Sequence, residues 1–391
     1  MSAAPAVSVC IPVRNGADQL RHTLINLLIH SNYPADRWEV VLGDHDSADE
    51  TAGIIAGFQE RFPRVRSVRV PFTGANRASV RNRLIEESRG DLLVFIDHDV
   101  LASDDFLWKH VAAHERLPSS IVAGAIFGTF LERDLGRFGG QLELDHITAS
   151  YDVLTSHPEL ADPRMGPASP ADLADPVDVR DAPAPFRLFY GGNLSAYRSD
   201  IEACGRFDEC YDGWGLEDDD FAQQFRVAGR GMAFSPGAWG FHMPGAGHDW
   251  NHLGFWRRNF ETFFRKFTTR EIEQYALYGG ALLPLGMAHM ESLLHRLRAI
   301  DTQGTAARVA GLLGPPRGRR LCHFVRDDTT AQALRLTDAL QPFGPWTDTQ
   351  REQSGTRWWP LVGIKTPFAG EEIDEVVVLV DVMMWLDHSL L

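Results

Sequence analysis

The 391-residue chain is poor in cysteine and in positive charge, and it has no long apolar run. Its four cysteines, Cys10, Cys204, Cys210 and Cys322, show neither the paired spacing of a zinc ribbon nor that of a disulfide framework, so a reducing, cytoplasmic setting is expected. Lys and Arg total 38 against 53 Asp and Glu, a net charge of −15, which argues against a broad nucleic-acid or anionic-lipid footprint. A polyanionic ligand must then be held locally, by a metal or a few arginines. The apolar runs Ile121–Phe130 and Val376–Leu386, the latter broken by Asp381, fall short of the ~20 residues that span a bilayer, so no integral membrane association is expected. The opening MSAAPAVSVCIPVRNG lacks a basic leader region and reads as a first strand rather than a signal peptide. What is present, 44% hydrophobic and 23% charged residues, is the composition of a globular chain of one large or two modest domains.

From Val7 to Asp99, short β-rich runs alternate with helical patterns, which predicts consecutive βαβ units and a mostly parallel sheet. Strands are expected at Val7–Val13, Glu39–Asp44, Ser67–Pro71 and Leu92–Asp97. Between them, Leu20, Leu24, Leu27 and Leu28 form one apolar stripe at helical spacing, Ile54, Ile55 and Phe58 a second, and Val80 and Leu84 mark a third. Ligands of such sheets bind beyond the carboxyl ends of the strands. Polar clusters fall there: Arg14-Asn15-Gly16, Asp44-His45-Asp46-Ser47 and Asp97-His98-Asp99.

Residues 157–185 are rich in proline and aspartate and are expected to form an irregular insertion. Gly191-Gly192-Asn193 then predicts a turn or a close backbone approach to a ligand. Phe255, Trp256, Phe260, Phe263, Phe264 and Phe267 recur at helical spacing, more in keeping with core packing than with a membrane foot, and arginines between them are candidates for reaching phosphates. A further helical region is expected over Ala281–Arg298, a boundary near Gly314–Gly318 and a small α/β appendage beyond it. The resulting division is a catalytic domain over 1–267 and a C-terminal region, helical plus small α/β, over 268–391.

The chemistry is expected to come from acids. Asp97 and Asp99, one residue apart at a strand end, can bind a divalent cation directly or through water, and the cation can neutralise a diphosphate. Asp44 and Asp46 can accept hydrogen bonds from a base, while Ser47 and Asp49 are equally suited to capping a helix. Arg77 and Arg81 share a helix face and can clamp a phosphate or stack on a base, or pair with Glu86 or Glu87. In GWGLEDDDF, four consecutive acids, Glu217 to Asp220, exceed what a helix N-terminus uses, and crowded carboxylates raise one another's pKa. Trp214 offers an apolar face for a sugar ring. His242 is the favoured metal ligand among His242, His248 and His252, which lack the HExxH pattern of a zinc site.

Together these segments resemble the family 2 glycosyltransferases of GT-A fold over roughly Val7 to Phe267. VSVCIPVRNG is similar to the family's first strand and loop, GDHDSADET to its DDGSxD segment with His45 and Asp46 in place of the second Asp and Gly, GANRASVRN to its GxxxARN segment and FIDHDV to its DxD. GWGLEDDDF resembles the WGxEDx[DE] segment shared with beta-1,4-galactosyltransferases. The resemblance implies a nucleotide-sugar donor, in first place a UDP sugar, and a divalent cation, Mn2+ or Mg2+, on Asp99 and His242. It implies donor contacts from Pro12, Arg14, Asn15, Asp44 or Asp46, Arg81, Asp97, His98, Gly192 and Asn193. Asp218 is implied as general base, Glu217 as a sugar contact and Trp214 as acceptor platform. An inverting transfer to a glycan, a peptide or a small natural product is expected, with no nucleic-acid partner. Two other readings compete: a sugar-phosphate nucleotidyltransferase, whose GxGxR-like loop fits Pro12–Gly16 poorly, and a non-catalytic sugar- or partner-binding module.

Overall fold

A computed structural model describes residues 6–74, 76–127, 175–182, 184–243, 252–269, 271–273, 275, 303–313, 315–316, 318–322, 328–336, 338–340, 351–353, 356–359, 373 and 375–377. Residues 157–174 of the expected insertion, the expected helix over 281–298, and His248 lie outside the described residues. The chain divides into two compact units, 1–259 and 260–391, a division that falls within a helix, where the sequence analysis separated the regions after Phe267.

In the first unit, β1 (Val7–Val13), β2 (Trp38–Asp44), β3 (Val65–Arg69) and β4 (Leu92–Ile96) lie parallel in the order β3-β2-β1-β4. Helices α1 (Ala17–Ile25, continued by a π-helical turn over Asn26–His30), α2 (Thr51–Arg61) and α3 (Arg77–Glu87) connect them. β1, β2 and β4 are nearly continuous apolar runs because helices cover both faces of a parallel sheet. Leu20, Leu24, Leu27 and Leu28 pack with Val9, Ile11, Val40, Leu42 and Val94 in one core, as their stripe requires. Pro12 sits in this interior strand beyond the last rung of the β1–β4 ladder, Cys10 opposite Phe95, where its missing N–H costs nothing. The third strand begins two residues before its expected start, since Val65 is its buried anchor.

Past β4 the sheet becomes mixed. β5 (Val100–Ala102), α4 (Phe106–Arg116), β6 (Ser120–Phe127), β7 (Val177–Asp178), β8 (Asn193–Tyr197), α5 (Arg198–Cys204), α6 (Glu217–Val227), β9 (Gly231–His242) and α7 (His252–Lys266) follow. β8 runs antiparallel to both β4 and β6, β9 runs parallel to β6, and β5 closes the far edge antiparallel to β9. The full order is β3-β2-β1-β4-β8-β6-β9-β5, with β7 paired to β9.

The second unit contains α8 (Gln303–Ala310), β10 (Arg320–Cys322), α9 (Asp328–Ala333), β11 (Asp338–Leu340), β12 (Arg351–Gln353), β13 (Thr356–Trp359) and β14 (Glu375–Val377). Its strands order as β12-β13-β11-β10-β14, parallel except for the β12–β13 pair, over a small core of Ala306, Cys322, Ala331, Leu334 and Leu336. Among the described residues no helix is long and apolar enough to cross a membrane.

Candidate active site

The loops after β1 and β2 are laced together by their own polar side chains. Asn15, at a left-handed φ of 50°, accepts at Oδ1 from the Ala48 amide (2.8 Å), and its own amide donates to Ser47 Oγ (3.0 Å). Asp49 accepts from the Ala17 and Thr51 amides, and Asp44 Oδ1 accepts from the Ser47 amide at 2.9 Å. Asn15, Ser47 and Asp49 are therefore engaged in shaping the loops. Asp44 is buried at the strand end, whereas Asp46 is exposed and paired with Arg69, whose hydrogen bonds hold its carboxyl below the usual range.

One feature of this edge has no signal in the sequence. The Arg14 guanidinium lies 3.2 Å from the centroid of the Phe72 ring, and the His45 ring packs against the same ring at 5.0 Å. Burial, then Arg14, lowers the His45 pKa, so that imidazole is neutral. Phe72 is 40% exposed, leaving ring surface for a planar partner. Phe72 carries no motif and no periodicity, so only its position reveals it.

At the next strand end Asp97 meets Arg81. Arg81 is 2% exposed and spans two carboxylates: Nη1 donates to Glu217 Oε1 at 3.0 Å and Nη2 to Asp97 Oδ1 at 3.4 Å. Its Cζ also stands 5.4 Å over the Phe207 ring. With both terminal nitrogens on protein acids, this buried arginine acts inside the site, whereas Arg77 on the same helix is exposed. Burial works to raise the Asp97 pKa, but Arg81, supported by Arg77, His98 and His242, outweighs it and keeps the carboxyl ionised below its ordinary value.

The Gly191-Gly192 turn joins the acids. The Gly191 amide donates to Asp218 Oδ2 at 3.2 Å, and the Asp97 amide donates to the Gly192 carbonyl at 3.3 Å. A Cβ on Gly191 would lie 2.3 Å from Arg81 and one on Gly192 2.8 Å from Asp97 Oδ2, so both positions need the bare backbone. Asn193 departs from its expected donor contact. Its side chain is 1% exposed and both amide hydrogens go to the Ala125 and Ala238 carbonyls, because the turn directs it into the sheet.

The four acids of α6 divide by partner. Glu217 takes Arg81, Asp219 takes Arg187 (3.0 and 3.2 Å), and Asp220 accepts from Tyr211 Oη at 2.7 Å and from Gln224. Asp218 accepts from the backbone N–H groups of Gly191 and Asp219. Burial, followed by the charges of Glu217 and Asp219, pushes its pKa up to about 7 against the pull of Arg81. The preceding turn is strained to the left-handed side at Gly213, Gly215 and Leu216, and Asn259 of α7 ties it by donating to the Asp212 and Gly215 carbonyls at 2.9 Å each. Trp214 at its tip is 37% exposed.

Asp99 and His242 meet through the β5–β9 ladder, which pairs Val100 with His242. Asp99 Oδ2 lies 3.3 Å from His242 Nε2, the Met243 amide donates to the Asp99 carbonyl at 2.7 Å, and Asp99 Oδ1 is buried with no hydrogen-bond partner. His98 covers Gly16, where a Cβ would fall 2.2 Å from the ring. Asp97 and Glu217 are thus joined by Arg81, and Asp97 and Asp218 by one glycine turn.

A βαβ sheet whose acidic strand ends face a helix opening on Glu217 and Asp218 is the frame of a GT-A glycosyltransferase. Residues 8–158 match the family model described as glycosyl transferase family 2, and residues 177–243 match the model described as N-terminal domain of galactosyltransferase. The protein is a glycosyltransferase, and the family 2 match falls on its N-terminal portion. It is 28% identical to the validoxylamine A glucosyltransferase of Streptomyces hygroscopicus subsp. jinggangensis, over 96% of this chain and 91% of that protein. The enzyme of the same name from subsp. limoneus is 25% identical over 96% and 84%. Among solved structures, S. aureus TarS 1–349 aligns with a TM-score of 0.43 and 16% identity, covering 61% of this chain and 60% of that one.

Proposed function

We propose that the enzyme moves a sugar from a nucleotide diphosphate sugar, a UDP sugar in first place, to a hydroxyl or comparable nucleophile of an acceptor, with inversion at the anomeric carbon. The observation that carries this reading is Asp218: a half-buried carboxylate poised at about 7, one turn away from the Asp97 strand end. In the step, the acceptor nucleophile attacks the anomeric carbon, the bond from that carbon to the phosphate oxygen breaks, and the nucleoside diphosphate leaves with the electron pair. The acceptor proton passes to Asp218, a general base matched to neutral pH. Attack opposite to the leaving group inverts the centre.

Asp99 and His242 fit a divalent cation. One orphaned carboxylate oxygen and one imidazole nitrogen converge there, a mixed oxygen and nitrogen set that favours Mn2+ slightly over Mg2+. Among the described residues there is no group of three or more His, Cys, Asp or Glu side chains that could hold a metal ion. A cation held by Asp99 and His242 would supply positive charge to neutralise the departing diphosphate. Asp97, kept ionised by Arg81, orients the donor, Asp44 meets the base, and Trp214 gives the acceptor an apolar face.

The relatives that span this chain act on validoxylamine A as glucosyltransferases, which supports glucose as the first sugar to try and a small hydroxylated natural product as acceptor class. The scattered cysteines keep a cytoplasmic setting within this proposal. Incubation with UDP-glucose and related nucleotide sugars, with and without Mn2+, tests it. UDP release with a glycosylated product is expected. Pyrophosphate release would point to nucleotidyl transfer, and no turnover with any UDP or GDP sugar would leave a binding module.

A further inference from the structure

Beneath the Gly191-Gly192 turn lies a buried polar chain that no step of the transfer uses. His110 and His114 of α4 and Ser195 and Asn193 of β8 are each at most 1% exposed. His110 Nδ1 is 2.8 Å from Ser195 Oγ, His114 Nε2 is 2.9 Å from the same oxygen, and His110 Nε2 is 3.0 Å from Asn193 Oδ1.

The donors and acceptors fix the direction of every bond. Asn193 spends both amide hydrogens on the Ala125 and Ala238 carbonyls, at 2.9 and 2.8 Å, so its Oδ1 can only accept. His110 must then carry its proton on Nε2, which leaves Nδ1 to accept from Ser195 Oγ. The Ser195 oxygen in turn accepts from His114 Nε2. Burial pushes the two imidazoles down to about 4 and about 3, so this neutral arrangement holds at working pH.

The two carbonyls that Asn193 reaches belong to an irregularity in the sheet. Between the pairs Gly124–Ser235 and Ile126–Gly240, β6 advances two residues while β9 advances five. The looped-out stretch of β9 loses ladder partners there, and the Asn193 amide replaces them. A Cβ on Gly124 would lie 2.0 Å from the Ala238 carbonyl and 2.4 Å from the Asn193 amide nitrogen, so the cavity is shaped to this side chain. Beyond the irregularity β9 resumes its pairing and delivers His242 opposite Val100, beside Asp99. At its other end Asn193 pairs with Ile96, the residue before Asp97, and closes the turn that contacts Asp218.

We propose that Asn193 is a positioning residue for both halves of the active centre, and that the chain His114–Ser195–His110 locks its amide in the orientation that sets His242 against Asp99 and the glycine turn against Asp97 and Asp218. This rests on the reading of Asp99 and His242 as cation ligands for transfer. Removing Nε2–H from His110 frees the Asn193 amide to turn, and the register of β9 loses its pin.

The test compares Asn193→Asp, His110→Phe and the conservative His110→Gln with a control, Leu24→Ala, which destabilises the core at a residue that is not a member of the chain. Readouts are Mn2+ binding by calorimetry, hydrogen exchange of β9 and residues 190–193, and melting temperature. Asn193→Asp and His110→Phe are expected to weaken Mn2+ binding about tenfold or more and to speed exchange locally at 237–242 and 190–193. His110→Gln, which restores a donor, is expected to recover most of both, and Leu24→Ala to lower the melting temperature with Mn2+ binding intact. His114→Phe, one link further out, serves where a nearer variant fails to fold and is expected to show the same local exchange. Mn2+ affinity and local exchange equal to the parent in the folded variants would overturn the proposal. Absence of Mn2+ binding by the parent would instead defeat the cation reading, and exchange would still decide: a local change supports positioning, a uniform one overturns it.

Discussion

Arg81 and Glu217 form a 3.0 Å ion pair across 136 positions of sequence, with 2% and 5% of their side chains exposed. The pair joins α3 to the first residue of α6, and the other arm of Arg81 reaches Asp97. Such a buried cation is more than a ligand contact, because its loss strands two acids. Arg81→Ala should therefore cost about 3–5 kcal/mol of stability in chemical denaturation. Donor binding should fall along with it, while a loss of donor affinity at full stability would assign Arg81 to the phosphates.

Asp218 governs the pH dependence in two opposed ways. As base it must be deprotonated, so kcat/KM should rise with pH through about 7. For stability the sign is the reverse. The folded pKa stands above the ordinary 3.8, so the folded chain retains a proton that the unfolded chain has lost, and this contribution declines as pH climbs from about 4 to about 7. Asp218→Asn should lower turnover about 10²–10⁴-fold, leave donor binding largely intact and flatten that part of the stability profile. Rate assays and denaturation across the same pH range check both arms.

Asp99→Ala and His242→Ala each remove one of the two proposed cation ligands. Calorimetry with and without Mn2+ should show that the metal-dependent share of donor affinity disappears in both variants. Unchanged affinity would move the metal elsewhere.

Phe72, under the Arg14 guanidinium and beside His45, lies at the strand ends where the base is proposed to bind. Phe72→Ala should raise the donor KM about two- to fivefold, the equivalent of about 0.5–1 kcal/mol of ring interaction, with kcat unchanged. Steady-state kinetics at saturating acceptor separates the two constants.

Gly191→Ala places a methyl group 2.3 Å from the buried Arg81 guanidinium, which cannot retreat without breaking an ion pair. A loss of about 1–3 kcal/mol of stability is expected, with lower turnover because the displaced turn draws the amide of residue 191 away from Asp218. Paired melting and rate measurements report both.

The order of residues along this chain determined its βαβ half and the addresses of its acids. Alternating apolar runs are a local property, so β1 to β4 and the stripe of Leu20, Leu24, Leu27 and Leu28 were legible, as was the placement of Asp44, Asp97 and Asp99 at strand ends. The division of labour in Glu217–Asp220 was not, since four adjacent acids look alike until Arg81, Arg187 and Tyr211 each claim one and Asp218 is left with backbone amides. The mixed half of the sheet, the irregularity filled by Asn193 and the stacking of Arg14 on Phe72 were likewise decided by tertiary structure alone. Periodicity states which residues share a face, but which distant groups are buried together depends on strand order and register, and those are set only when the whole core closes.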